Sequence, residues 1–196
     1  MSITNLRPRC RAFTLVELLV SVGVSCLMFA AVGAFTFHSA RSFVALANYT
    51  DLDVKSRYAL DLISREIRQA NAVTSSTSIT LTGGQVVTNQ LTLSGTATNG
   101  TAYTLNYYYN PTAKTLTRTF VQGGTSLTNV LLKECSFLSF GMYQRNAISN
   151  SFDQFDMTIP GTCKVVQLYW ICSRSIFGKS ANTESVQSAK VVIRKG

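Results

Sequence analysis

The chain is poor in the residues that carry out chemistry. Its 196 residues include one histidine, His38, and nine acids against eighteen basic residues. Beyond Val73 the acids reduce to Glu134, Asp153, Asp156 and Glu184, and no histidine remains. A Ser-His-Asp or Cys-His arrangement is excluded there, because each needs an imidazole to move the proton. No two cysteines have C-x-x-C spacing, which argues against a zinc cluster or a redox dithiol motif. Asp153 and Asp156, without a glycine-containing loop, are a thin ligand set for Ca²⁺, and solvated loop acids are the better reading. There is no P-loop, so the chain is not a nucleotide-driven motor. These absences point to a protein that is not an enzyme and uses neither cofactor nor metal.

What the chain does have is one long apolar run over residues 13–37, interrupted by a single charge, Glu17. Crossing a bilayer takes roughly 20 apolar residues at about 1.5 Å of rise each, and the run meets that length. A carboxylate inside such a segment is expensive and marks a functional position by default. Arg7, Arg9 and Arg11 precede the run and hold that end on the cytoplasmic side. Three plainer readings compete. A secretory signal peptide cut near Val32-Gly33-Ala34 has a shorter apolar region. A lipoprotein at Cys26 follows poorly from Gly23-Val24-Ser25, and a plain anchor leaves Glu17 unexplained.

The stretch Ala12-Phe13-Thr14-Leu15-Val16-Glu17-Leu18-Leu19 resembles the prepilin cleavage and methylation motif of type IV pilins and type II secretion pseudopilins. The resemblance implies a cut between Ala12 and Phe13 by the prepilin peptidase, methylation of the new amine on Phe13, and an assembly role for Glu17. It also implies an inner-membrane protein with a cytoplasmic N-terminus and a periplasmic head, which then joins a filament through its N-terminal helix. Two features differ from the common pattern. Ala12 stands where the family prefers Gly, and the span lacks the proline that kinks many major subunits. Leu62-Ile63-Ser64-Arg65-Glu66-Ile67-Arg68-Gln69-Ala70 and the terminal Val191-Val192-Ile193-Arg194 are similar to the stalk end and last strand of minor pseudopilin J and the W-type minor pilins.

Loss of Arg7, Arg9 and Arg11 with a leader lowers the formal charge from +9 to +6. The remaining basic residues are scattered with no consecutive run, which favours a solvated surface over a nucleic-acid groove. Of five cysteines, Cys10 leaves with the leader and Cys26 lies in the span. Cys135, Cys163 and Cys172 remain for an oxidising compartment, where at most one internal disulfide forms and one thiol is left over. If 163–172 is one strand, its two cysteines are roughly 30 Å apart and any bridge must include Cys135.

The expected organisation is a leader over 1–12, a transmembrane half-helix over 13–37, a stalk helix over 38–73 and a β-rich head over 74–196. In the span, Glu17, Ser21 and Ser25 share one side and suggest a partner-facing stripe. In the stalk, Leu52, Ala59, Leu60, Ile63, Ile67 and Ala70 form an apolar face. Asp51 with Lys55, Asp53 with Arg57 and Asp61 with Arg65 form acid-first pairs on the exposed side. Gly33 and Asn48-Tyr49-Thr50 are places for a bend or break, with Thr50 capping a restart.

From Thr74 onward the period falls toward two. Strands are expected over 78–82, 85–88, 90–94, 102–109, 114–121, 126–133, 135–143, 163–172 and 189–194, with loops at 146–150 and 177–183. The 163–172 strand is apolar on both faces and reads as central, with the helix covering one side. Tyr107, Tyr108 and Tyr109 read as strand formers rather than a platform for bases. The fold class is α+β: a long membrane and stalk helix with an antiparallel β-sheet head packed on its C-terminal half. The function expected is that of a minor pilin or pseudopilin at or near a filament tip. The alternative is a DNA-binding minor pilin of a natural-transformation uptake machine.

Overall fold

A computed structural model describes residues 13–81, 83–144, 155–157, 159–175 and 184–194. The chain divides into two compact units, Met1–Val44 and Ala45–Gly196. One helix, α1, runs Leu15–Gln69. The helix is unbroken at Gly33 and at Asn48-Tyr49-Thr50, so neither place interrupts it. Thr36 and Thr50 instead turn their hydroxyls back to the carbonyls of Gly33 and Leu46, at 2.9 Å each, so Thr50 continues the helix rather than capping a restart.

Within the second unit, Leu52, Ser56, Ala59, Ile63 and Ile67 are buried at alternating spacings of three and four, the signature of one helical face. Asp51–Lys55 and Asp53–Arg57 form ion pairs at 2.8 and 2.7 Å on the other side, and the third expected pair, Asp61–Arg65, is not formed. The helix stops at Gln69 rather than 73, because Val73 is already in the first strand and buried in the core.

Among the described residues the strands are β1 Ala72–Thr80, β2 Val86–Thr96, β3 Ala102–Asn110, β4 Thr115–Gln122, β5 Thr125–Leu132, β6 Cys135–Gln144, β7 Phe155–Asp156, β8 Cys163–Ser173 and β9 Glu184–Val192. The head contains two antiparallel sheets where one was expected. The first follows chain order, β1-β2-β3-β4-β5, and the second runs β7-β6-β8-β9. The break between them falls at Lys133-Glu134, where Glu134 takes a left-handed backbone (φ 59°) and ends the meander. Such a conformation is uncommon for a residue with a Cβ, so the surrounding contacts must hold it. Gly123-Gly124 close β4 to β5 with two positive φ values, 56° and 82°, as a two-residue hairpin requires.

Two expected short strands, 85–88 and 90–94, fuse into β2. The intervening Asn89 is buried, and its amide donates to the Tyr109 carbonyl at 3.3 Å. At the far end of β2, Gly95 pairs with Tyr103, and a Cβ there would lie 2.2 Å from the tyrosine ring. The core joins Ile63 and Ile67 of α1, with Ala70 just beyond it, to Leu91 and Leu93, Leu105, Tyr107 and Tyr109, and Val166, Leu168 and Trp170. Each Ile, Leu or Val among them contributes about 1.5–3 kcal/mol on burial. β8 is central between β6 and β9, with its Val166-Leu168-Trp170 face in the core, as its two apolar faces predict.

Candidate functional site

Phe13 is 83 % exposed, just before the helix begins. Thr14 follows, and its backbone N–H and hydroxyl both donate to one oxygen of Glu17, at 3.0 and 3.1 Å. The Glu17 N–H donates in return to the Thr14 hydroxyl at 3.2 Å. This is a capping box: threonine at the cap and glutamate three residues on satisfy helix N–H groups reciprocally. The T-x-x-E signal at 14–17 is legible in the sequence, a second role for Glu17 beside its charge. Glu17 therefore has a local structural task before any partner arrives.

Every described residue from Phe13 through Phe37 is exposed, and α1 is long and apolar enough there to cross a membrane. Ser21 and Ser25, expected to face partners, donate their hydroxyls to the carbonyls of Leu18 and Ser21 at 2.9 and 2.7 Å. Their polar atoms are engaged within the helix, which leaves a small-residue surface rather than a row of free donors. Ala12 and the rest of the 1–12 leader lie outside the described residues, as do the expected loops at 146–150 and 177–183.

In the second unit two charged clusters fix the head. Glu66 projects from the buried side of α1, between Ile63 and Ile67. Arg118 of β4 grips both its oxygens through Nε, at 3.0 and 2.9 Å, and the Tyr107 hydroxyl donates to the same carboxylate. The pair is largely out of solvent. Burial first, and Glu66 second, push the Tyr107 hydroxyl well above its ordinary range, so it stays a donor. The hydrogen bond from Arg118 to Glu66 likewise raises the guanidinium. A buried charge of this kind leaves a trace in the sequence: an acid at the spacing of an otherwise apolar helical face. Its partner, 52 residues away, leaves none.

The second cluster is centred on Arg174, just after β8. It donates to Glu134 through Nε at 2.8 and 3.0 Å, to Asn48 at 3.0 Å and to Asp51 at 3.1 Å. The Asp51 carboxyl is held below its usual range by Lys55 first and then Arg174. Arg174 thus joins the helix to the left-handed Glu134 at the turn between the sheets.

The three head cysteines are buried. Cys163 and Cys172 sit at opposite ends of β8, so the strand expectation holds. Cys135 pairs with Cys172 across β6 and β8, whereas Cys163 lies opposite Gln144. Among the described residues no group of three or more His, Cys, Asp or Glu is placed to hold a metal. Tyr107 and Tyr109 are fully buried, so neither offers a face for stacking bases.

Residues 7–33 match the model of the prokaryotic N-terminal methylation motif. The chain therefore carries a prepilin-type N-terminus, followed by a long apolar helix and antiparallel sheets. A solved type IV-like pilin from Thermus thermophilus overlaps it with a TM-score of 0.49 and 9 % identity, over 72 % of this chain and 94 % of that one. No curated protein matches the chain.

Proposed function

We propose that the chain is a minor pilin or pseudopilin, a structural subunit that leaves the inner membrane and enters a filament at or near its tip. The observation that carries this reading is the methylation motif running directly into a helix whose apolar half is exposed on every side. An isolated helix of that kind is stable only in lipid or among other apolar helices. On this reading, prepilin peptidase cuts between Ala12 and Phe13 and methylates the Phe13 amine. Glu17 then offers its carboxylate to the Phe13 amine of an adjacent subunit, a pairing strengthened by low dielectric. On this reading the head acts as a shaped surface. Its kinship with J-type pseudopilins and W-type minor pilins belongs to the same proposal.

Mass spectrometry of the mature N-terminus tests the processing step. A methylated Phe13 is expected, and a start at Phe35 or acylation at Cys26 would sink the assignment. Ala12→Gly is expected to process at least as well, and a bulky residue at position 12 to accumulate precursor.

One observation favours the second reading, a DNA-binding subunit. Arg65, Arg68 and Arg194 line one groove with Asp61, and among the described residues none of the three arginines is held in an ion pair. Phosphate contacts release counterions, so binding there must fall steeply with salt. Salt-independent or absent DNA binding by the full chain in detergent removes this reading and leaves the first intact.

A further inference from the structure

We propose that Cys135 and Cys172 are a cross-strand disulfide site that locks β6 to β8, with Cys163 as the unpaired thiol. The two residues are direct partners in the antiparallel ladder. The Ser173 N–H donates to the Glu134 carbonyl at 2.9 Å, which makes the neighbouring Glu134–Ser173 position the hydrogen-bonded one. The Cys135 N–H goes elsewhere, to the Lys114 carbonyl at 2.9 Å. Cys135–Cys172 is therefore a non-hydrogen-bonded pair, the kind whose Cα atoms approach to about 4.5 Å with side chains closest together. That separation lies within the disulfide range of about 4.4–6.8 Å. Cys163 is excluded by its place at the far end of β8, opposite Gln144.

The surroundings also assign the order of events. Cys172 lines a cavity of about 390 Å³ together with Ser56 and Arg174, and Cys135 does not. The interaction between the two thiols holds Cys172 down and Cys135 up, burial raises Cys135 further, and the Cys135 thiol itself donates to the Phe137 carbonyl at 3.2 Å. The buried Ser56 hydroxyl lines the same cavity and, among the described residues, has no hydrogen-bond partner. The thiolate is the attacking species in thiol–disulfide exchange. Cys172 loses its proton and attacks a disulfide-bonded oxidant, a protein dithiol oxidase or oxidised glutathione, releasing one thiol. Cys135 then loses its proton and displaces the second. Two thiols become one disulfide, and the oxidant's disulfide becomes two thiols, carrying off the two electrons and two protons.

Formation in the cell rests on the extracytoplasmic head of the proposed function; the pairing itself does not. The test is peptide mapping of the full chain, extracted in detergent with thiols alkylated under denaturing conditions and run without reductant. One linked peptide joining Cys135 to Cys172 is expected, with Cys163 alkylated. In parallel, the reduced purified chain is titrated with oxidised glutathione. Cys172→Ser is expected to abolish both the bridge and the mixed disulfide with glutathione. Cys135→Ser is expected to trap that mixed disulfide on Cys172, and Cys163→Ser to leave the bridge intact. A bridge through Cys163, or no bridge in either setting, overturns the pairing and leaves the membrane topology untouched. A bridge with glutathione but free thiols in the cell overturns the native disulfide and leaves the extracytoplasmic head standing.

Discussion

The two units of this chain use one helix under two different rules. In the first unit the helix is apolar on every side, and none of its described residues from Phe13 to Phe37 is even half-buried. In the second it is amphipathic, with Leu52, Ala59, Ile63 and Ile67 buried along one face and ion pairs on the other. The backbone is the same, so the difference lies in what surrounds it. A uniform apolar surface asks for lipid or other helices, while a stripe asks for a sheet to cover it. A lost side chain should therefore be felt in the head and pass unnoticed, as regards head stability, in the first unit.

The largest expected loss is at Glu66. Glu66→Ala leaves the Arg118 guanidinium buried without its partner, a defect of about 3–5 kcal/mol. Thermal unfolding of the full chain in detergent, followed by the fluorescence of the single, fully buried Trp170, measures it. Ile63→Ala comes next, at about 2–5 kcal/mol from lost burial and the cavity left behind. Its control is Leu19→Ala, at a residue 65 % exposed, which is expected to leave the head's unfolding unchanged. An equal destabilisation by Leu19→Ala would break the comparison, because it would mean the first unit contributes to head stability.

Much of this architecture was legible because it depends on local pattern. The apolar run, the 52–70 stripe and the alternation in 102–109 are periodicities a single sequence displays. Gly83-Gly84 and Gly123-Gly124 are glycine pairs in the sequence, and all four residues take positive φ, which selects glycine. The division into two sheets was not. It depends on Glu134 adopting φ 59°, a conformation its side chain does not advertise, held by the distant Arg174. Asn89 shows the same limit: a polar residue between two expected strands is instead buried inside one long strand, where its amide N–H donates to the distant Tyr109 carbonyl. Where the stabilising partner is far along the chain, sequence pattern carries no signal.

A smaller effect sharpens the picture of the buried charge. Tyr107→Phe keeps the ring and removes only the hydroxyl that donates to Glu66. Hydrogen bonds to charged groups are worth about 1.5–3 kcal/mol, and Arg118 remains to hold the carboxylate, so the lower end is expected. The same unfolding measurement decides it. A loss as large as that of Glu66→Ala would mean that Tyr107, rather than Arg118, is what makes the buried carboxylate tolerable.

The smallest effect on stability, and the sharpest on function, is expected at the helix start. Glu17 accepts both donors of Thr14, and a glutamine at the same position can also complete a capping box. Glu17→Gln therefore keeps the local geometry and removes the charge, whereas Thr14→Ala removes the box and keeps the charge. If the assembly role of Glu17 rests on attraction to the amine of a neighbouring Phe13, the two variants must separate. Glu17→Gln is expected to insert and be cleaved normally but to be depleted from sheared or detergent-extracted filaments. Thr14→Ala is expected to fray the first helical turn and still co-purify with them. Glu17→Ala, which loses both features, is expected to insert and be cleaved but to incorporate no better than Glu17→Gln. Full incorporation of a correctly cleaved Glu17→Gln chain, with loss only in Thr14→Ala, would reduce Glu17 to a helix cap. The register between subunits would then have to come from the shape of the exposed apolar surface alone.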